Sequence, residues 1–214
     1  MLKQRWFAKS LVFLACLVPF ILLLATIAVG NLSPDPVRDI TENTGVWALR
    51  FLLITLSITP FRKLSGWNEI IKFRRMVGLF AFFYGFLHLT TYLWLDQFFS
   101  IRGIIDDIVK RPFITAGTSA FVLLIPLAIT STRKWISRLG GRHWQLLHRL
   151  IYVSSVLGVV HYLWLVKADI LRPVLYSVLL SVLLAHRLFT AMRSRSTVQG
   201  FGRRAMPSYS QSQN

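Results

Sequence analysis

Two histidines, His88 and His161, stand in long apolar stretches of this 214-residue chain, FRRMVGLFAFFYGFLHLTTYLW and WQLLHRLIYVSSVLGVVHYLW. An imidazole in hydrocarbon loses its water, and needs a hydrogen-bond partner, a cavity or a metal to offset that loss. The company each histidine keeps narrows the choice. Gly78, Ala81, Gly85 and His88 follow one another at steps of 3, 4 and 3, and Ser154, Gly158 and His161 at steps of 4 and 3, so each set lies on one helix face. Each ring therefore has Gly at i−3 and Ala or Ser at i−7, a flat trough beside it. Small-residue stripes also serve close helix–helix contact. Two stripes that each end in a histidine suit a planar group with two axial positions, a heme.

Depth supports the pairing. His88 lies 13 residues beyond Arg75 and His161 lies 12 beyond Arg149, on segments expected to run in the same direction. At 1.5 Å per residue both rings stand about 18–20 Å above those basic residues. His148 is harder to place, because thirteen steps of 100° leave it about 140° away from the face of His161 on a straight helix. A local distortion, a separate cofactor or an interfacial position without ligation each satisfy that angle, and His148 is retained as a further candidate ligand. Arg74 precedes His88 by fourteen residues, about 40° off its face, and puts a cation where a second histidine would stand. With Arg75, Arg142 and Arg149 it can hold heme propionates or a flavin phosphate; topology alone is the competing explanation. His143 and His186 fall at wetted helix ends and are not expected ligands.

The elements that position these residues are membrane helices. Hydrophobic residues make up 54% of the chain and charged residues 15%, with a mean hydropathy of +0.55, which suits a solvent of lipid. The expected fold is an all-α bundle of six transmembrane helices, at roughly 11–29, 46–60, 76–95, 113–130, 144–165 and 172–190, the second and fourth marginal in length. The first is read as a retained helix, since its apolar run exceeds that of a secretory signal. Loop 98–111 is read as a short amphipathic surface helix ended by Pro112. Residues 1–193 form the membrane domain and 194–214 a disordered cytoplasmic tail. No internal repeat is evident.

The net charge of +17 is mostly topological. With both termini inside, the inner segments hold eighteen of the 25 basic residues and one acid, Glu69, whereas the outer loops hold six basic residues and seven acids. Nucleic acid is not needed to explain the excess. Arg50, the remaining cation, sits a turn inside the second span, where it either snorkels to the interface or pairs with an anionic ligand group. The single cysteine, Cys16, excludes a disulfide framework and covalent heme attachment, and no GxGxxG or P-loop is present. Any redox chemistry must occur within the helices.

The two histidine spans, together with RPFITAG before the fourth span, resemble the ferric reductase-like transmembrane family. Within that family they resemble the heme-binding subunits of the periplasmic methionine sulfoxide reductase system. The resemblance implies a b-type cytochrome of the bacterial inner membrane, with FMN as a further cofactor. Electrons are expected from membrane quinol, for delivery to the molybdopterin-containing periplasmic catalytic subunit, MsrP. Sulfoxide reduction would then occur on that partner, with this chain contributing electron transfer. The related NADPH oxidases carry paired histidines on both spans, and Arg74 departs from that pattern, leaving a second bis-histidine heme open. Direct NADPH oxidation is not expected. A stand-alone ferric reductase remains an alternative, as does a proton-coupled transporter with a histidine relay, although all eight acids are assigned to loops.

Orientation is testable directly. A phosphatase that is active only outside the cytoplasm should be active when fused after residue 100 and inactive when fused at the C-terminus. The reverse pattern would overturn the assigned topology.

Overall fold

In lipid every backbone amide must find its partner within the chain, so apolar runs fold as helices. The computed structural model describes residues 2–167 and 169–204. Its elements are α1 (Leu2–Val29), α2 (Pro36–Ser65), a 3₁₀ segment (Asn68–Phe73), α3 (Arg74–Thr91) continued by a π-helical turn (Tyr92–Asp96), α4 (Ile101–Lys110), α5 (Pro112–Ile129), α6 (Arg133–Leu147), α7 (Leu150–Leu165) and α8 (Leu171–Arg204). No strand occurs among the described residues. Five helical stretches are each long and apolar enough to cross a membrane, and α6 with α7 makes a sixth, bent by 41°. The chain is an all-α, multi-pass membrane protein.

Local chemistry sets the boundaries. Asp35 accepts a hydrogen bond from the Arg38 amide and Pro36 opens α2, whose start therefore precedes the apolar run by ten residues. Two acids read as loop residues, Asp39 and Glu42, consequently lie in the first turns of α2. That helix ends at Gly66, whose φ of 72° suits glycine and whose amide reaches the Arg62 carbonyl. The surface helix expected at 98–111 is α4, capped by Ser100. Pro112 opens α5 immediately after it.

The fifth span departs from expectation. Instead of one continuous helix over 144–165, α6 stops at Leu147 and α7 begins at Leu150. Both the backbone amide and Nδ1 of His148 bond the Trp144 carbonyl, and the Trp144 indole stacks on the imidazole at 3.9 Å while donating to Thr130 O. The ladder tightens to i→i−3 bonds at Arg149 and Tyr152, and the helix bends there. At the tail, helical backbone is described to Arg204, and residues 205–214 of the expected disordered tail lie outside the described residues.

The most extensive packing joins α2 to α3 and α5 to α7, with α1 and α8 on the periphery exposing large apolar side chains to the surroundings. One polar contact ties α1 to this core. Pro19 disturbs α1, and the fully buried Tyr84 of α3 inserts its hydroxyl into the broken ladder, donating to Cys16 O at 2.9 Å and accepting from Phe20 N–H at 3.0 Å. Its ring stacks on Phe51 of α2 at 5.2 Å. Tyr84→Phe keeps that ring and removes both bonds. It should destabilise the bundle by about 1–2 kcal/mol in detergent unfolding, and an unchanged midpoint would show the bridge to be dispensable.

Candidate functional site

The connections at 31–39, 96–111 and 166–172 surround the mouth of one cavity of about 1140 Å³. This end of the bundle is called here the α4 end, and the opposite one the basic end. The cavity lies among α2, α3, α5 and α7, with Leu22, Leu23 and Thr26 of α1 closing one side, and His88 and His161 project into it from α3 and α7. Their ring centres are 6.0 Å apart and their planes cross at 77°. The shared depth expected from the sequence is thus realised as direct apposition.

Each imidazole is held by the helix antiparallel to its own. His88 Nδ1 lies 2.9 Å from Thr41 O of α2, and His161 Nδ1 lies 2.6 Å from Phe113 O of α5. A carbonyl can only accept, so Nδ1 carries the proton in both rings and Nε2 keeps its lone pair. Glycine makes the approach possible. Side chains lean toward the helix N-terminus, so the residue at i+4 ordinarily shields the carbonyl at i. Here those residues are Gly45 and Gly117. A Cβ on Gly45 would stand 2.9 Å from His88 Nδ1, and one on Gly117 would stand 2.6 Å from His161 Nδ1.

The same device therefore occurs twice: Thr41, Gly45 and His88 in α2–α3, then Phe113, Gly117 and His161 in α5–α7. No repeat was legible in the residues, because the two copies share a backbone arrangement and very few side chains. The troughs divide into two parts. Gly85, Gly158 and Ser154 line the cavity, whereas Gly78 packs against Thr55 and Ala81 is fully buried. In α3 the deeper half is helix contact, whereas in α7 the whole stripe reaches the cavity.

Two imidazoles are too few to hold a bare ion, which takes four ligands or more, and no group of three or more His, Cys, Asp or Glu residues with metal-binding geometry occurs among the described residues. They suffice for a metal that brings its own equatorial ligands. With metal–imidazole bonds of about 2.0–2.1 Å, and ring centres about 1.1 Å farther out, two axial imidazoles have centres about 6.2–6.4 Å apart. The observed 6.0 Å fits. The cavity is also large against the ~300–1,000 Å³ of ordinary small-molecule sites.

Arg50 is one of the charged residues that line this cavity. Its guanidinium lies 4.6 Å from the centre of the Trp47 ring and donates from Nε to Tyr176 Oη at 2.9 Å, so its side chain is tied to α2 and α8. Asn43 Oδ1, buried at the same cavity, has no partner among the described residues.

The remaining candidates lie elsewhere. His148 is at the α6–α7 bend, apart from the pair, with Nδ1 on the Trp144 carbonyl and a buried Nε2 near the Leu127 carbonyl. Arg74 is half-buried and bonds Tyr152. Arg75, Arg142 and Arg149 are exposed, and none of the three lines the cavity of the histidine pair. His143 is exposed as well.

Residues 14–159 match the family model described as the ferric reductase like transmembrane component. The chain belongs to the ferric reductase-like transmembrane family. Within this family it is 53% identical over 195 residues to the protein-methionine-sulfoxide reductase heme-binding subunit MsrQ of Herminiimonas arsenicoxydans, covering 90% of this chain and 89% of the relative. The proteins of the same name from Azospira oryzae and Rhodospirillum rubrum are 48% and 50% identical, covering 89% and 86% of this chain and 82% and 88% of their own lengths. The MsrQ match includes both histidine-bearing helices and extends well beyond the segment that the family model covers.

The glycine contacts yield a stability test. Gly45→Ala and Gly117→Ala must displace an imidazole or separate two helices, and each should cost about 1–3 kcal/mol in detergent unfolding. Gly141→Ala, where a Cβ meets nothing within 4 Å, should be close to neutral. Equal effects at all three positions would remove the special role given to the first two.

Proposed function

We propose that this chain is the electron-carrying membrane subunit of a periplasmic methionine sulfoxide reductase system, with a b-type heme held between His88 and His161. The carrying observation is the pair of Nε2 lone pairs presented to one cavity by rings 6.0 Å apart. A bis-imidazole heme supplies one-electron transfer at an iron with no open position, which disfavours oxygen chemistry. The chain's own groups do the rest. The carbonyls of Thr41 and Phe113 hold the tautomers of His88 and His161, which would ligate the iron, and Arg50 would offer a cation to a propionate. The apolar walls of α2, α3, α5 and α7 restrict water.

The α4 end is assigned to the periplasm and the basic end to the cytoplasm of a bacterial inner membrane, on the asymmetry of lysine and arginine between the two sets of loops. Electrons enter from quinol, with FMN as a second cofactor, and leave at the α4 end for the catalytic subunit MsrP. Reducing a sulfoxide takes two electrons and two protons and releases water, and these steps belong to that partner. His148 is assigned as a ligand toward the basic end, where its Nε2 is buried beside the Leu127 carbonyl and Arg74 is near enough to exert a charge effect on the ring.

The names of the relatives support the heme and the sulfoxide system. His88→Ala and His161→Ala should each lower the low-spin heme absorbance of purified protein roughly tenfold or more, whereas His143→Ala should retain it. Wild-type absorbance in both of the first two variants would refute the ligand pair. The relay has its own readout. Chemically reduced protein should be reoxidised quickly by MsrP with methionine sulfoxide and slowly by methionine sulfoxide alone, and equal rates would refute delivery to that partner.

A further inference from the structure

A second cavity, of about 280 Å³, lies at the basic end between α2, the start of α7 and α8, and shares no lining residue with the histidine cavity. Its floor is aliphatic, and its polar lining is Thr59, Lys63, Tyr152, His186, Arg187 and Thr190. No carboxylate lines it. Arg187 lies 4.8 Å from the centre of the Tyr152 ring, and Arg74 of α3 reaches the same tyrosine with a hydrogen bond, close enough for the two guanidiniums to repel each other. Lys63 adds a third cation at the cavity edge. Lys63 and Arg187 are exposed, so water screens part of this repulsion, and a bound anion would remove more of it.

Thr59 supplies an independent sign. Its Oγ1 is buried and has no partner among the described residues, although the threonine one turn earlier, Thr55, bonds the Phe51 carbonyl in the usual way. The next residue, Pro60, has no N–H to give the Leu56 carbonyl, and both residues line this cavity. An unpaired hydroxyl thus stands among cations in a cavity that no carboxylate lines.

We infer that this cavity binds a phosphate group, with Arg187 and Lys63 neutralising its charge and Thr59 donating a hydroxyl bond. Arginine forks and lysine point charges are the side chains suited to phosphate oxygens. Two molecules carry that chemistry to this depth: the headgroup of an anionic phospholipid, whose chains would follow the exposed apolar flanks at Leu64 and Leu188, and a soluble phosphomonoester. The site is independent of the heme reading.

Two titrations of full-length, heme-loaded protein test the inference and separate the sources. In the first, phosphatidylglycerol is compared with phosphatidylcholine by native mass spectrometry of the lipid retained. In the second, flavin mononucleotide is compared with riboflavin by fluorescence quenching. Wild type should prefer the anionic member of at least one pair, and Lys63→Gln/Arg187→Gln should weaken that binding about tenfold or more. Preference in the lipid pair identifies a headgroup, and preference in the flavin pair identifies a phosphomonoester. The inference is overturned if wild type shows no preference in either pair, or if the double variant binds as tightly as wild type. Should the double variant lose its heme absorbance, Lys63→Gln and Thr59→Val, which leave the Arg187–Tyr152 contact intact, decide by the same criterion.

Discussion

Everything at the centre of this bundle depends on an imidazole N–H given to a main-chain carbonyl of the neighbouring helix. Thr41 O and Phe113 O already belong to helical ladders, so each can take a second donor only where the shielding side chain is missing. Gly45 and Gly117 remove that side chain, and the rings fill the space. Three things follow from one contact. The tautomer is set, Nε2 is aimed into the cavity, and the helix spacing within α2–α3 and α5–α7 is held to the width of an imidazole.

Because the contact is made twice, the cavity is bounded by two similar helix pairs, each offering one nitrogen. Neither pair completes the site alone. α1 and α8 add to its wall without a histidine of their own, α1 joined to the pairs by the Tyr84 hydroxyl and α8 by the Arg50–Tyr176 bond. The basic end has a different character. There His148 and Trp144 stack at a helix break, and Arg74 and Arg187 crowd onto Tyr152, so polar groups stand unpaired or like charges stand together. A membrane protein tolerates such groups where a ligand or water completes them.

Much of this was legible from residue spacing. Hydropathy placed the spans, helical periodicity put His88 and His161 on similar small-residue faces, and counting from Arg75 and Arg149 put them at one depth. Gly45 and Gly117 were not found, because each acts on a histidine of another helix and so leaves no periodic trace on its own. The break at His148 was hidden for a related reason: a side-chain bond to Trp144 O accompanies it, whereas the glycine that breaks α6, Gly140 with φ 72°, lies two turns earlier. The 140° mismatch with His161 was the one visible sign, and distortion was one of its readings. The start of α2 was missed because Asp35 and Pro36 begin a helix in polar sequence, where hydropathy is silent. Of the four arginines set apart, Arg75, Arg142 and Arg149 are exposed, as topological charges would be.

The proposed ligands of one heme iron, His88 and His161, are held by their carbonyls with ring planes crossed at 77°. Electron paramagnetic resonance of the oxidised, purified protein tests this central assignment most directly. Crossed axial imidazoles require a highly anisotropic low-spin ferric signal whose largest g value is well above that of parallel rings. A high-spin signal, or a rhombic low-spin signal of parallel imidazoles with no anisotropic component, would contradict the geometry.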